Sequence, residues 1–295
     1  MKSSERTGLV LGLTGVVIFG LTLPATRTSL NGLDPWLIGL GRGAVAAFAA
    51  LAVLVATKQK WPPKQAWRSL VIASAGVVLG FPLLATLAMQ YAPASHGGIV
   101  LAILPLATAA AGVISAGERP SSGFWLCSIA GTAAVLAFAL IEGAGASGIH
   151  TADLLLGAAI VSAAIGYAEG GVLARSMGGW QVICWALVIA GPILLVVLIV
   201  ADTPINWNAP ASAWAGFLYL ALFSQFIGFF AWYQGLALGG VAKVGQLQLL
   251  QTFVTLGAAA LLLGERITWF EIAFAMLVVA LVAVGQRMRV GHKTR

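Results

Sequence analysis

Polar side chains recurring at helical spacing inside apolar sequence are the groups best able to do chemistry in this chain. Gln248, Gln251, Thr252 and Thr255 follow i, i+3, i+4 and i+7, which places them on one stripe of a helix, with Gln246 slightly to the side. Amides and hydroxyls so placed either bond neighbouring helices or line a wet cavity, and so many glutamines in one turn and a half exceed what packing requires. Ser162, Gly166 and Glu169 follow i, i+4 and i+7 beside Tyr167. Glu169 is a carboxylate well inside an apolar run. Either it binds a cationic group or a proton, or it sits near an interface paired with a base such as Arg175. Arg42 also lies at depth, where an unpaired arginine costs about 2.5 to 3.5 kcal/mol. It could hold a substrate carboxylate, or else snorkel outward or cap helix carbonyls. Gln225, Gly228 and Trp232 share a face, which would set an aromatic wall beside a polar group. Thr108, Gly112 and Ser115 form a small-residue face near Pro105, and Pro24 and Pro82 sit in two further apolar runs. A proline at such a position frees a backbone carbonyl and bends the helix.

Catalytic constellations are missing. His96, His150 and His292 lie at the ends of apolar runs or in the tail, and the sequence has no HExxH, GxSxG, P-loop or paired-cysteine pattern. Glu142 to Gly148 matches G-x-G-x-x-G in outline, and Gly39 to Ala44 is a weaker look-alike. Dinucleotide binding needs that pattern between a strand and a helix of a packed sheet, which this sequence does not offer. The expectation is a protein that is not an enzyme and carries no cofactor and no metal.

The elements that hold these residues follow from composition. Of 295 residues, 60% are apolar and 8% are charged, against about 25% charged in a soluble domain. A soluble globular protein and a disordered chain are both excluded. Apolar stretches bounded by charges, prolines or polar clusters mark ten spans: Gly8 to Thr26, Trp36 to Ala56, Ser69 to Gln90, His96 to Ala116, Ser121 to Ile141, Asp153 to Ala174, Trp180 to Val200, Trp214 to Gly235, Ala242 to Leu263 and Trp269 to Gln286. The first run is followed by many others and lacks a clear small-x-small cleavage site, so it reads as an uncleaved helix rather than a secretory signal. Cys127 and Cys184 both fall inside spans as small apolar fillers.

With the amino terminus inside, 13 of the 16 Lys and Arg residues fall on inner segments, which assigns both termini to the cytoplasm. The net charge of +7 is then an orientation signal and not a nucleic-acid footprint. Trp36, Trp61, Trp67, Trp180, Trp207, Trp214 and Trp269 cluster near span ends, at headgroup level. Gly117-Glu118-Arg119 recurs as Gly264-Glu265-Arg266, a displacement of 147 residues, at which Gly98 also aligns with Gly245, Thr108 with Thr255 and Ala111 with Ala258. Each half then holds five spans, so the second enters the membrane upside down relative to the first. The fold class is an all-α integral membrane protein of ten transmembrane helices, two inverted five-helix repeats around a central cavity. Residues 1–141 form the first repeat, 142–152 a Gly-rich linker, and 153–295 the second repeat with a basic tail. Gly8/Gly12, Gly39/Gly43 and Gly166/Gly170 put small residues one turn apart, for close helix packing.

Ten spans in two halves, each with an apolar helix ending in Gly-Glu-Arg, resemble the EamA-type branch of the drug/metabolite transporter superfamily. Phe19-Gly20 with Pro24, Arg42 after Asp34-Pro35-Trp36, and Pro105 ahead of Gly117-Glu118-Arg119 add to the resemblance. The chain looks most like the bacterial amino-acid exporters of that branch. This implies outward movement of amino acids, aromatic and other neutral ones included, across the inner membrane. The family often has Trp where Phe19 stands and Pro where Thr252 stands, and the seventh span has no counterpart of Arg42, so the two halves are chemically unequal. The inverted halves point to alternating access, rocking about a central cavity lined by the first, third, fourth, sixth, eighth and ninth spans. Gln and Thr side chains would meet the substrate's amino and carboxylate groups, and Trp232, Tyr167 or Phe81 its side chain. The partners implied are a small-molecule substrate and membrane lipid, with no nucleic acid; the oligomeric state is left open, and a monomer fits. A drug or nucleotide-sugar carrier is an alternative, for which the few intramembrane cations are a poor match. A membrane enzyme acting on lipid-linked substrates is another, lacking its clustered acids, histidines or nucleophile.

Overall fold

The computed structural model describes residues 3–143, 151–287 and 290–292; most of the linker at 142–152, with His150 in it, lies outside them. Ten helical spans are laid down in order. Span 1 comprises Ser3–Gly20 and Thr22–Leu30. Spans 2, 3 and 4 are Leu37–Ala56, Lys64–Ala88 and Ala94–Ala116, and span 5 is Ser122–Gly143. Spans 6 and 7 are Thr151–Met177 and Gly179–Val200. Spans 8 and 9 are Ala211–Gly239 and Val241–Leu263, and span 10 is Trp269–Arg287. Among the described residues eight of these are long and apolar enough to cross a membrane, and span 10 contributes a shorter apolar stretch, Trp269–Leu281. Among the described residues the one addition to an all-helical fold is a pair of three-residue strands, Glu118–Pro120 (β1) and Val290–His292 (β2), antiparallel to one another. Both lie at the face of the bundle where the chain starts, called here the amino-terminal face.

The repeat at 147 residues is visible in backbone geometry. Spans 4 and 9 start at Ala94 and Val241 and stop at Ala116 and Leu263. Each is closed by a left-handed glycine, Gly117 at φ 67° and Gly264 at φ 66°, a conformation that a side chain would strain. The glycine of each Gly-Glu-Arg motif is thus a helix stop. In spans 3 and 8 the helix widens into π-helical turns over Ser74–Gly80 and Tyr219–Ile227, again ending 147 residues apart.

Two more of the repeated pairs are reciprocal contacts between the halves. A Cβ on Gly98 would lie 2.9 Å from Thr255 Cγ2, and one on Gly245 would lie 3.5 Å from Thr108 Cγ2. The threonine of each repeat therefore packs onto the glycine of the other, which ties the sequence duplication to the seam between spans 4 and 9.

Proline explains the break in span 1. Pro24 has no N–H for the Gly20 carbonyl one turn earlier, and the helix is interrupted at Leu21. Thr255 Oγ1 donates to that carbonyl at 2.8 Å, so a hydroxyl from the second half repairs a defect in the first. Pro105 acts alike: the turn before it tightens into a 3-10 segment, Leu101–Ile103. Thr255→Val keeps the shape and removes the donor. It is expected to cost about 0.6 to 1.7 kcal/mol, the range for interhelical hydrogen bonds in membranes, seen as a lower melting temperature in detergent.

Candidate functional site

The wide turns of spans 3 and 8 bring the two halves together at the centre. In the i to i+5 register of span 3, Phe81 N–H bonds the Gly76 carbonyl, and the next carbonyl, Val77, points at residue 82, a proline. Gln225 from the equivalent turn of span 8 fills the gap, its Nε2 donating to the Val77 carbonyl at 2.9 Å. Ser162 Oγ donates to the Gly76 carbonyl at 3.0 Å. The carbonyl that the proline leaves without a helical donor is thus satisfied by a side chain, and the Gly76 carbonyl gains a second bond, beside a small cavity.

That cavity is lined by Phe19, Thr22, Arg42, Gln225, Phe229 and Gln251, with Leu23, Val77, Phe81, Leu101, Tyr167 and Ser224 completing the wall. Its free space is about 10 Å³, room for roughly one water and far less than an amino acid occupies. The form described is therefore closed around the site, and any metabolite must part the helices to enter. Thr22 and Ser224 hydroxyls join across the halves at 2.9 Å. One wall is aromatic: the Phe19 and Tyr167 rings stack at 6.4 Å and 9°, Phe229 is 5.0 Å from Phe19, and Trp232 closes the cluster from behind, 5.4 Å from Tyr167.

Arg42 is the cavity's single cation among the described residues. The π-turn Leu37–Gly41 precedes it and sets its rotation inward. The residue is 2% exposed, so it does not snorkel, and its Nε has no hydrogen-bond partner. Among the described residues no carboxylate pairs with it. Gln251, 7% exposed, has an unpartnered Oε1.

Of the residues singled out in the sequence, Phe19, Arg42, Phe81, Tyr167, Gln225 and Gln251 meet at this cavity. The stripe of span 9 divides: Gln251 lines the cavity, whereas Thr252 Oγ1 donates to the Gly98 carbonyl at 3.2 Å and Thr255 to Gly20. Gln248 is buried with both amide atoms unpartnered but does not line the cavity, and nor does Gln246. Pro24, Pro82 and Pro105 shape helices, Thr108 packs on Gly245, and Ser162 serves the Gly76 carbonyl. Trp232 backs the aromatic wall rather than lining it, its indole N–H unpartnered. Glu169 is away from the cavity and accepts from Ser115 Oγ at 2.6 Å, so its partner is a hydroxyl of span 4 and not Arg175. Thr22, Ser224 and Phe229 complete the wall; the two hydroxyls escaped selection because a helical hydroxyl usually bonds its own preceding turn, as Thr26 does at 2.8 Å, and Phe229 because a phenylalanine inside an apolar run reads as packing.

Seams close above and below. At the amino-terminal face spans 1 and 8 meet through glycines: a Cβ on Gly8 would lie 2.8 Å from Gly239 N, and one on Gly235 would lie 2.8 Å from Gly12 N. At the opposite face Glu265 accepts from the Ala94 and Ser95 amides at 2.9 and 3.0 Å, where the second repeat's Gly-Glu-Arg motif caps a helix of the first. His96 and Asp153 are joined there at 2.7 Å, and Arg27 Nη1 donates to the Met89 carbonyl at 2.6 Å.

A solved crystal structure superposes on 94% of this chain and 97% of its own, at a TM-score of 0.68 and 20% identity, a likeness of fold. YdeK, an uncharacterized transporter of Bacillus subtilis (strain 168), is 43% identical over 286 residues, covering 97% of this chain and 99% of the relative. A probable terminal-alkyne amino-acid exporter of Streptantibioticus cattleyicolor is 28% identical over 253 residues, 85% of this chain and 83% of that one. The EamA-like transporter family model matches residues 6–140 and again 150–284. With both halves matched, this multi-pass membrane chain belongs to the EamA-like transporter family.

Proposed function

We propose that this transporter exports small amphipathic metabolites, amino acids foremost, across the bacterial inner membrane by alternating access, with the amino-terminal face and both termini in the cytoplasm. The observation that carries the reading is the central cavity, where polar groups from both repeats (Thr22, Arg42, Ser224, Gln225, Gln251) face an aromatic wall. Such a site offers hydrogen bonds to a polar head and apolar surface to a side chain. The cationic bias of the segments assigned to the inner face supports the orientation, and a relative named as a probable amino-acid exporter supports the substrate class. The repeats 1–141 and 153–295, joined at 142–152, are taken as the two bodies that rock.

The test is uptake into proteoliposomes of a panel of labelled amino acids, with and without a proton gradient, for the wild type and Gln251→Ala. Wild-type uptake of neutral, apolar members is expected, and the variant, losing one hydrogen bond in a buried site, should lose about 5-fold or more. Uptake of no panel member by folded protein would overturn the amino-acid assignment. Unchanged uptake in Gln251→Ala would remove span 9 from the site.

A further inference from the structure

The polar groups of the cavity are unequal in a way that says which part of a substrate they read. Arg42 has five N–H donors in a fixed fork, is 2% exposed, and leaves its Nε without a partner. The described residues give it no carboxylate, whereas they do join His96 to Asp153. The remaining lining residues are uncharged, and Glu169 is engaged by Ser115 elsewhere. The cavity therefore supplies a full counter-charge for an anion and none for a cation. What it offers to a donor on the substrate is neutral: the unpartnered Oε1 of Gln251. The aromatic rings Phe19, Phe81, Tyr167 and Phe229 are a poor substitute, because a ring face attracts a cation through its quadrupole and carries no formal counter-charge.

Resting on the transport reading above, we propose that the site selects its cargo by a carboxylate held at Arg42 and reads the neighbouring position only as a hydrogen-bond donor at Gln251. The substrate class is then 2-substituted monocarboxylates with an apolar side group, 2-hydroxy acids as well as 2-amino acids. Amines that lack the carboxylate are excluded. A hydroxyl satisfies Gln251 as an ammonium does, and it carries no second charge that must leave water for an uncharged wall. A plain carboxylate without either group still pairs with Arg42 and leaves Gln251 orphaned, so it ranks lower.

The experiment compares 3-phenyllactate, phenylalanine, 3-phenylpropionate and phenethylamine on purified full-length protein. Each is read by the ligand-induced shift in melting temperature and by direct uptake of the labelled compound into proteoliposomes. The expected order is phenyllactate at or above phenylalanine, then phenylpropionate, with phenethylamine at least ~10-fold weaker, as the loss of a charge-assisted pair implies. Arg42→Gln should abolish the shifts given by all three carboxylates, and Arg42→Lys, which keeps the charge without the fork, should recover part of them. Should Arg42→Gln fail to fold, the Lys variant and the wild-type ranking decide. If phenylalanine is carried and phenethylamine matches phenyllactate, the inference fails while the amino-acid reading survives. If phenyllactate and phenylpropionate bind and are carried while phenylalanine is not, the reading fails and the carboxylate handle survives. If none of the four shifts the melting temperature or enters, both fall.

Discussion

Arg42→Met is expected to make the folded protein more stable and the transporter inactive. A buried guanidinium without a counter-ion is poorly compensated for leaving bulk water, and methionine offers a similar reach with an apolar, adaptable chain. By analogy with buried ionic groups replaced by apolar ones, the gain is about 1 to 4 kcal/mol, seen as a higher melting temperature in detergent, with substrate uptake falling to background. That combination separates a functional residue from a structural one. If Arg42 were there to hold helices together, its removal would lower the melting temperature. A protein that keeps such a residue spends stability on its site, as functional centres commonly do.

Gly235→Ala should have the second largest effect, with the opposite sign on stability. Its added methyl would lie 2.8 Å from Gly12 N and 2.9 Å from the Gly8 carbonyl oxygen. Both are backbone atoms of span 1, so no flexible side chain can move aside. Helices 1 and 8 must separate, at a cost of about 1 to 3 kcal/mol for overpacking. In alternating access this seam has to close in one half of the cycle. The variant is therefore expected to show a lower melting temperature, strongly reduced uptake, and greater access of water-soluble reagents to the cavity from the amino-terminal face. Gly257→Ala is the comparison, since a Cβ there meets nothing within 4 Å, and it should behave as the wild type.

Much of this architecture was legible in the residues, and the exceptions have physical reasons. Apolar runs marked ten helices because lipid leaves few other ways to satisfy a backbone. The 147-residue repeat was readable because its matched positions do mechanical work: Gly117 and Gly264 must adopt positive φ, and Gly98 and Gly245 must admit the threonine of the other half. Pro24 announced a break, though not that Thr255 would repair it. The π-turns of spans 3 and 8 were not legible, since no residue type encodes them; that of span 3 sits where Gln225 and Ser162 supply donors from elsewhere in the fold. For the same reason the stripe of span 9 looked uniform. Periodicity places Gln251, Thr252 and Thr255 on one face, and only the packing of spans 1 and 4 decides that the threonines meet carbonyls while Gln251 meets the cavity. Arg42 posed the sharpest ambiguity, because position along a helix says how deep a residue starts and not which way its side chain reaches.

The central claim is that one cavity between inverted halves opens in turn to both faces of the membrane. Ser224 lines it and bridges to Thr22, so Ser224→Cys, in a background with Cys127 and Cys184 replaced, places a single thiol at the pivot. Sealed vesicles of each orientation are exposed to a membrane-impermeant thiol reagent, with and without substrate. The account requires labelling at residue 224 from either face, slowed from both by the same substrate. Labelling from one face alone, or from neither, would contradict it.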